Sequence, residues 1–206
     1  MLIKYITCKV KEGCRKAFDE EQKRWRALSP VNGFLGQIGG WSVKDPFTAV
    51  LMGFWSNEED YHYFMDHIHD EILLHSDQSN TYTSIDVYIY NECFHISAAD
   101  QTLIQVIEQG EYVRIDSFEA EHGRMDRCIQ KYEQTLQQIE GMLSATFACS
   151  EKRVGECLFF SCWKEERPPQ DDYVPIATLL PCDAEGFDGE GCKVEENWRV
   201  LPEWNR

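Results

Sequence analysis

The sequence predicts an α+β fold: two fused, pseudo-symmetric ferredoxin-like halves of order β-α-β-β-α-β within a single chain. Three observations predict it. First, two amphipathic segments, 14–28 and 125–139, place apolar residues at the same offsets. They are Cys14, Ala17, Phe18, Trp25 and Leu28 in one, and Met125, Cys128, Ile129, Leu136 and Ile139 in the other, with Tyr132 filling a further position. Second, each segment follows an acidic residue and a glycine, "KEG" ending at Gly13 and "EHG" ending at Gly123. Third, each is followed by a matched pair of strand-like runs: Gly33 to Trp55 spans 22 positions, and so does Gly141 to Trp163. The helices correspond at an offset of 111 and the strands at 108. The difference falls in the helix-to-strand loop, where "SPV" lengthens the first copy, and loops are where insertions are tolerated.

The elements follow in order. "LIKYITCKV" at 2–10 reads as the opening strand, and the helix over 14–28 comes next. "NGFLGQIGGW" and "TAVLMGFW" form the central strand pair. A second helix starts at "SNEE", where Ser56 and Glu59 have capping-box spacing, and its core face is Tyr61, Phe64, Met65, Ile68 and Ile72. "TYTSIDVYIY" closes the half: Thr81, Thr83, Ile85, Val87 and Ile89 alternate with Tyr82, Ser84, Asp86, Tyr88 and Tyr90. The first half therefore covers 1–91, a linker 92–108, and a divergent second half 109–206. In that half "EYVRIDSFEA", "EGMLSATFAC" and "ECLFFSCW" are strands. The prolines after Trp163 degrade its second helix, leaving at most a short helical turn near 172–180, and "CKVEENWRVLP" reads as the closing strand.

Composition excludes several classes of function. The chain has 206 residues, 43% of them hydrophobic, which supports a packed core. A net charge of −16 argues against nucleic acid and against an anionic membrane surface, since both are bound through Lys and Arg. No run approaches a membrane span, and Lys4 interrupts the only signal-peptide-like stretch, so the sequence predicts a cytoplasmic protein. Nine cysteines, with no CxxC among them, read as reduced, buried thiols rather than a zinc site.

The paired "Gly-apolar…Trp" signatures resemble the dimeric α+β barrel superfamily, which includes the antibiotic-biosynthesis monooxygenase-like proteins. More closely, the first 95 residues resemble a family of unknown function from Bacillus-type bacteria. "LIKYI", "EGC", "GFLGQIGGW", "MGFW" and "TYTSI" carry that likeness. The resemblance implies a barrel usually made by two chains and here closed within one, with further self-association left open. It also implies a small-molecule site in an aromatic pocket. Members include cofactor-independent oxygenases, haem-degrading oxygenases, isomerases, decarboxylases and stress proteins, so the resemblance specifies fold better than reaction.

The stretch "GFLGQIGGW" is glycine-rich but follows a helix and lacks a Gly-Lys-Ser/Thr ending, so it is not a phosphate loop. Gly36, Gly39, Gly40 and Trp41 align with Ser144, Phe147, Ala148 and Cys149. Glycine in a strand marks either a ligand cavity or a bend and close backbone approach. On the cavity reading, Phe147 plugs in the second half what the glycines leave open in the first, and Tyr5, Trp25, Phe34, Trp55 and Phe64 join the lining. The leading functional expectation is a small-molecule binder, or a cofactor-independent monooxygenase-like enzyme, at that pocket. The alternative is a non-catalytic stress or interaction barrel.

Two histidine patterns add further expectations. His62, Asp66 and His69 share one helical stripe, as a metal site would require, although a solvated surface is the simpler reading. The resemblance to haem-degrading enzymes makes His75 a candidate axial ligand. Those enzymes also use a first-strand asparagine, where this chain has Tyr5 and Thr7. Otherwise no cofactor is expected.

Overall fold

The computed structural model describes residues 1–97, 101–120, 139–165 and 185–203. Eight strands are present among them: β1 Leu2–Val10, β2 Phe34–Ser42, β3 Thr48–Trp55, β4 Tyr82–Ser97, β5 Tyr112–Glu119, β6 Met142–Cys149, β7 Glu156–Trp163 and β8 Glu185–Val194. The α-helices are α1 Arg15–Gln22, α2 Glu58–His67, α3 His69–Leu74 and α4 Leu103–Gln109. The hydrogen-bonded strand order, β1-β3-β2-β8-β5-β7-β6-β4, closes on itself as a barrel, as the fused-halves reading requires. The chain divides into two compact units, Met1–Ile89 with Lys193–Arg206, and Tyr90–Cys192.

In the first unit β3 is central, with β1 and β2 antiparallel on its two sides. The register sets Lys4 and Gln37 opposite Gly53, and Ile6 and Gly39 opposite Leu51. With a period of two, Leu2, Lys4, Ile6 and Cys8 share one face with Leu51, Gly53 and Trp55, while Tyr5 points to the other. The helices cover the first of these faces. Their apolar side chains form two clusters, one around Leu28, Phe34, Trp55, Tyr61 and Phe64, the other around Phe18, Trp41, Leu51 and Trp198.

Several details differ from the sequence reading. The first helix is α-helical only to Gln22 and tightens into a 3-10 turn over Lys23–Leu28. Phe18 and Leu28 are buried as expected, but Ala17 is exposed. Asn57, not Ser56, caps α2: its side chain accepts from the Asp60 N–H at 2.8 Å. Ser56 Oγ instead donates to the Gly33 carbonyl. Asparagine caps at least as well as serine, and the start shifts by one residue. The second helix also breaks at Ile68 (φ −125°, ψ −39°), dividing it into α2 and α3.

The segment 92–108 is more than a connection: β4 continues through it to Ser97, and α4 occupies Leu103–Gln109 behind a Thr102–Gln105 capping box. The last strand is earlier than "CKVEENWRVLP" implied. β8 ends at Val194, and a 3-10 turn over Glu196–Trp198 and a bridge from Val200 to Gln37 follow. Glycine-rich "EGFDGEGCKV" has little β-propensity, and neighbouring strands decide its conformation.

In the second unit β7 is central, with β5 and β6 on its two sides, and Arg114 is opposite Ser161. Its core gathers Ile96, Tyr112, Phe118, Phe147, Phe159 and Trp163. Cys149 and Cys157 are buried opposite each other, their sulfurs 3.3 Å apart. The helix expected over 125–139 lies outside the described residues except for its last position, Ile139, which packs against this core. The short helical turn expected near 172–180, and with it the degraded second helix, also lies outside them.

Candidate functional site

A cavity of about 390 Å³ lies in the first unit between the helix-covered face of the sheet and the helices. Pockets that hold small ligands fall in this size range. It separates the two apolar clusters. Phe34, Trp55, Tyr61 and Phe64 wall one side, and Phe18, Leu51 and Ile6 the other. Trp55 and Phe64 stack at 4.8 Å, and Phe34 meets Trp55 edge-on at 5.3 Å, so this wall is a continuous aromatic surface. Ile85 and Val87 also line the cavity yet are exposed, which places its mouth beside β4.

The floor is Gly53. A Cβ built there would meet nothing closer than Lys4 Cβ and Trp55 Nε1, both at 3.9 Å. A Cβ there would be in ordinary van der Waals contact, so the glycine relieves no clash.

Most polar groups around the cavity are already satisfied. Trp25 Nε1 donates to Gln78 Oε1 at 2.8 Å, and Gln78 Nε2 donates to Gln22 Oε1 at 2.7 Å. Gln37 Nε2 donates to the Trp198 carbonyl at 3.1 Å. Lys4 differs. Its side chain lines the cavity, the residue is only 9% exposed, and Nζ lies 3.7 Å from Met65 Sδ. The ammonium also sits 5.5 Å from the Tyr61 ring centroid and 5.9 Å from that of Phe64. Burial alone lowers its pKa to about 8. The same burial pushes Tyr61 up, and burial followed by the charge of Asp86 pushes Cys8 up to about 12, so both stay neutral near pH 7.

The residues expected to form a pocket divide. Trp25, Phe34, Trp55 and Phe64 line this cavity. Tyr5 does not: it stacks on Tyr88 at 5.6 Å on the opposite face. Trp41 packs between Phe18 and Trp198, at 5.7 and 5.0 Å. Nor do the three glycines open a hole. Gly36 has φ +142° at a bulge in β2, a conformation that side chains disfavour. A Cβ on Gly39 would collide with the Val50 carbonyl, and one on Gly40 with the Lys193 carbonyl. A positive φ at Gly36 and close backbone approach at Gly39 and Gly40 are thus the reasons for these glycines of "GFLGQIGGW". Phe147, opposite Phe159 and 4.6 Å from its ring, is ordinary core.

The histidines disperse. His62 is exposed and bonds Glu58 at 3.1 Å, and Asp66 is exposed too. His69 lies beyond the break at Ile68. It turns toward the cavity between Trp25 and Phe64, at 5.6 and 5.7 Å, with Nδ1 held 3.0 Å from Asp70. The break removes the common stripe, and among the described residues no three His, Cys, Asp or Glu side chains gather as a metal site would need. His75 is exposed at the end of α3 and is not a lining residue.

Sequence reasoning missed Lys4 and Gly53. The signal for Lys4 was present: it is the one charged residue in the alternating series Leu2, Lys4, Ile6, Cys8, Val10. Gly53 was quoted only as part of "MGFW", and nothing local distinguishes it from a bend. Among the described residues no helix is long and apolar enough to cross a membrane.

Comparisons with known proteins agree with the fold. The chain is similar over nearly its whole length to a crystal structure of a candidate monooxygenase from Lactobacillus acidophilus NCFM. The TM-score is 0.71 at 11% identity, covering 97% of this chain and 95% of that one. It is also similar to an anthrone oxidase-like protein (TM-score 0.61, 12% identity, 95% and 91% covered). At these identities the likeness shows the fold alone. Sequence similarity is closer in the first unit. YdbC of Bacillus subtilis (strain 168) is 40% identical over 94 residues, which are 45% of this chain and 79% of that protein. Residues 2–90 match the family described as a domain of unknown function, DUF4937. Through the unit that carries the cavity, the chain therefore belongs to the DUF4937 family.

Proposed function

We propose that the first unit binds a small aromatic or apolar molecule in the cavity beneath α1 and α2, and that it acts there as a cofactor-independent monooxygenase-like enzyme. The observation that carries the reading is the cavity itself: about 390 Å³, walled by stacked aromatics and floored by a glycine where a Cβ would meet no clash. Support for the oxygenase class comes from the fold shared with proteins described as monooxygenase and anthrone oxidase-like.

In such chemistry the substrate is itself the reductant. A CH₂ flanked by aromatic rings loses a proton and gives its electrons to O₂. It leaves as C=O, with the second oxygen atom released as water. The chain would contribute a dry aromatic wall, a cation near the developing negative charge, and shape.

Gly53→Leu tests the reading by placing a side chain on the cavity floor, where a Cβ meets no clash. The neutral fluorophore N-phenyl-1-naphthylamine is expected to bind the native protein at one site per chain, and the variant at least tenfold more weakly, with unchanged circular dichroism. Equal binding by both would refute the site. Oxygen uptake with anthrone as probe tests catalysis separately: uptake by the native protein and not by the variant is expected. Binding without uptake would leave a non-catalytic binding barrel.

A further inference from the structure

Lys4 presents a problem of charge. A buried ammonium is tolerated when a carboxylate or a set of hydrogen-bond acceptors compensates it. Among the described residues no carboxylate lies within ion-pair distance of Nζ, and its neighbours are a thioether and two aromatic faces. The other titratable groups on the cavity wall are Cys8 on β1, Tyr61 on α2, His69 on α3 and Tyr82 on β4, and none is a carboxylate. Asp86, exposed on β4, acts on Cys8 rather than on Lys4.

The second unit shows what internal compensation looks like. There β5 and β7 pair Arg114 with Ser161, as β1 and β3 pair Lys4 with Gly53. Two residues along the same face, Asp116 takes the guanidinium on both oxygens, at 2.8 and 2.7 Å. The first unit has Ile6 two residues after Lys4, and a glycine across the strand where the second unit has a serine. A cation stands at matching register positions in both units. One has an internal carboxylate, and the other has an empty volume in front of it.

We propose that the ligand of the first unit is an aromatic monoanion, and that Lys4 Nζ is the group that pairs with its negative charge. This rests on the cavity being a ligand site. The ring system lies against Trp55, Phe64 and Phe34, and the oxyanion reaches the β1 side of the floor. Trp55 Nε1 lies beside the same floor, 3.9 Å from where a Gly53 Cβ would stand, so it is placed to donate a second hydrogen bond.

The test uses N-phenyl-1-naphthylamine as reporter and two isosteric competitors, 2-naphthoate and the neutral 2-naphthamide, on native protein and Lys4→Met. Native protein at pH 7 is expected to prefer naphthoate by about tenfold or more, the value of one charge-assisted hydrogen bond in a secluded site. In Lys4→Met the reporter still binds and the preference disappears. At pH 10 the native preference fades as the amine loses its proton, while the variant is indifferent to pH. Equal displacement by both competitors in the native protein would overturn the anion assignment and leave the apolar site standing. So would a preference that survives in Lys4→Met. Failure of the reporter to bind the native protein would overturn the site itself, and this inference with it.

Discussion

Lys4 links a cost in stability to the readiness of a site. Burial holds its pKa at about 8 against an ordinary 10.5, so between those values the unfolded chain binds more protons than the folded one. Stability therefore rises with pH through that window, and below about pH 8 the cost is present in full. It amounts to about 3 kcal/mol. Cys8 and Tyr61, whose pKa values are raised, act in the opposite direction at alkaline pH, so the effect is read as a difference. Denaturant melts are expected to find Lys4→Met more stable than the native protein at pH 7 by roughly that amount, with the gap closing toward pH 10.5. A gap that stays constant with pH would show that the ammonium is not the source. At this scale the sequence was partly legible. Of the aromatics that the sequence offers as pocket candidates, Trp25, Phe34, Trp55 and Phe64 line the cavity, while Tyr5 and Trp41 do not. The glycines were the harder case. Gly39, Gly40 and Gly53 have the same side chain, and only the atoms opposite each one tell a close approach from an opening.

Elements were legible where a single period ran long enough, and less so at their ends. The first-unit strands and the buried face of α2 follow from alternation and 3.6-residue spacing. The break at Ile68 and the shift of the last strand do not, because they depend on packing partners distant in sequence. Two predictions belong here. Asn57→Ala removes the side-chain N-cap of α2 and is expected to cost about 1 kcal/mol in chemical denaturation, whereas Ser56→Ala costs less. Gly40→Ala forces a methyl group against the Lys193 carbonyl, and since both partners are held in backbone, the first unit is expected to lose several degrees in melting temperature. A neutral Gly40→Ala would mean that this approach is looser than described.

For the molecule as a whole, the main departure from a simple two-halves reading is that residues 193–203 return to the first unit. Trp198 is fully buried against Phe18 and Trp41, and its Nε1 donates to Asp19 at 2.7 Å. Gln37 and Val200 exchange backbone hydrogen bonds of 2.8 and 3.1 Å, and Glu195 N–H donates to the Gly39 carbonyl at 2.9 Å. Trp198→Ala is expected to destabilise the first unit by about 3–5 kcal/mol and to weaken reporter binding with it. Unfolding of the first unit alone, followed through its own aromatic signals, would check this. No local pattern announced this return. "NWRVLP" reads as the end of the second half because sequence order suggests it, and the partner that claims Trp198 lies some 180 positions earlier.

The same return has a consequence for biosynthesis. The first unit includes residues on both sides of a 103-residue excursion, Tyr90–Cys192. At translation rates of about 5–20 residues per second the excursion alone takes on the order of 5–20 s, and Phe18 and Trp41 wait at least that long beside a nascent chain that has not yet made their cover. During that interval the half that carries the cavity is a partly finished surface, within reach of chaperones and of like chains on the same message. Its final closure becomes one of the last folding events of the chain.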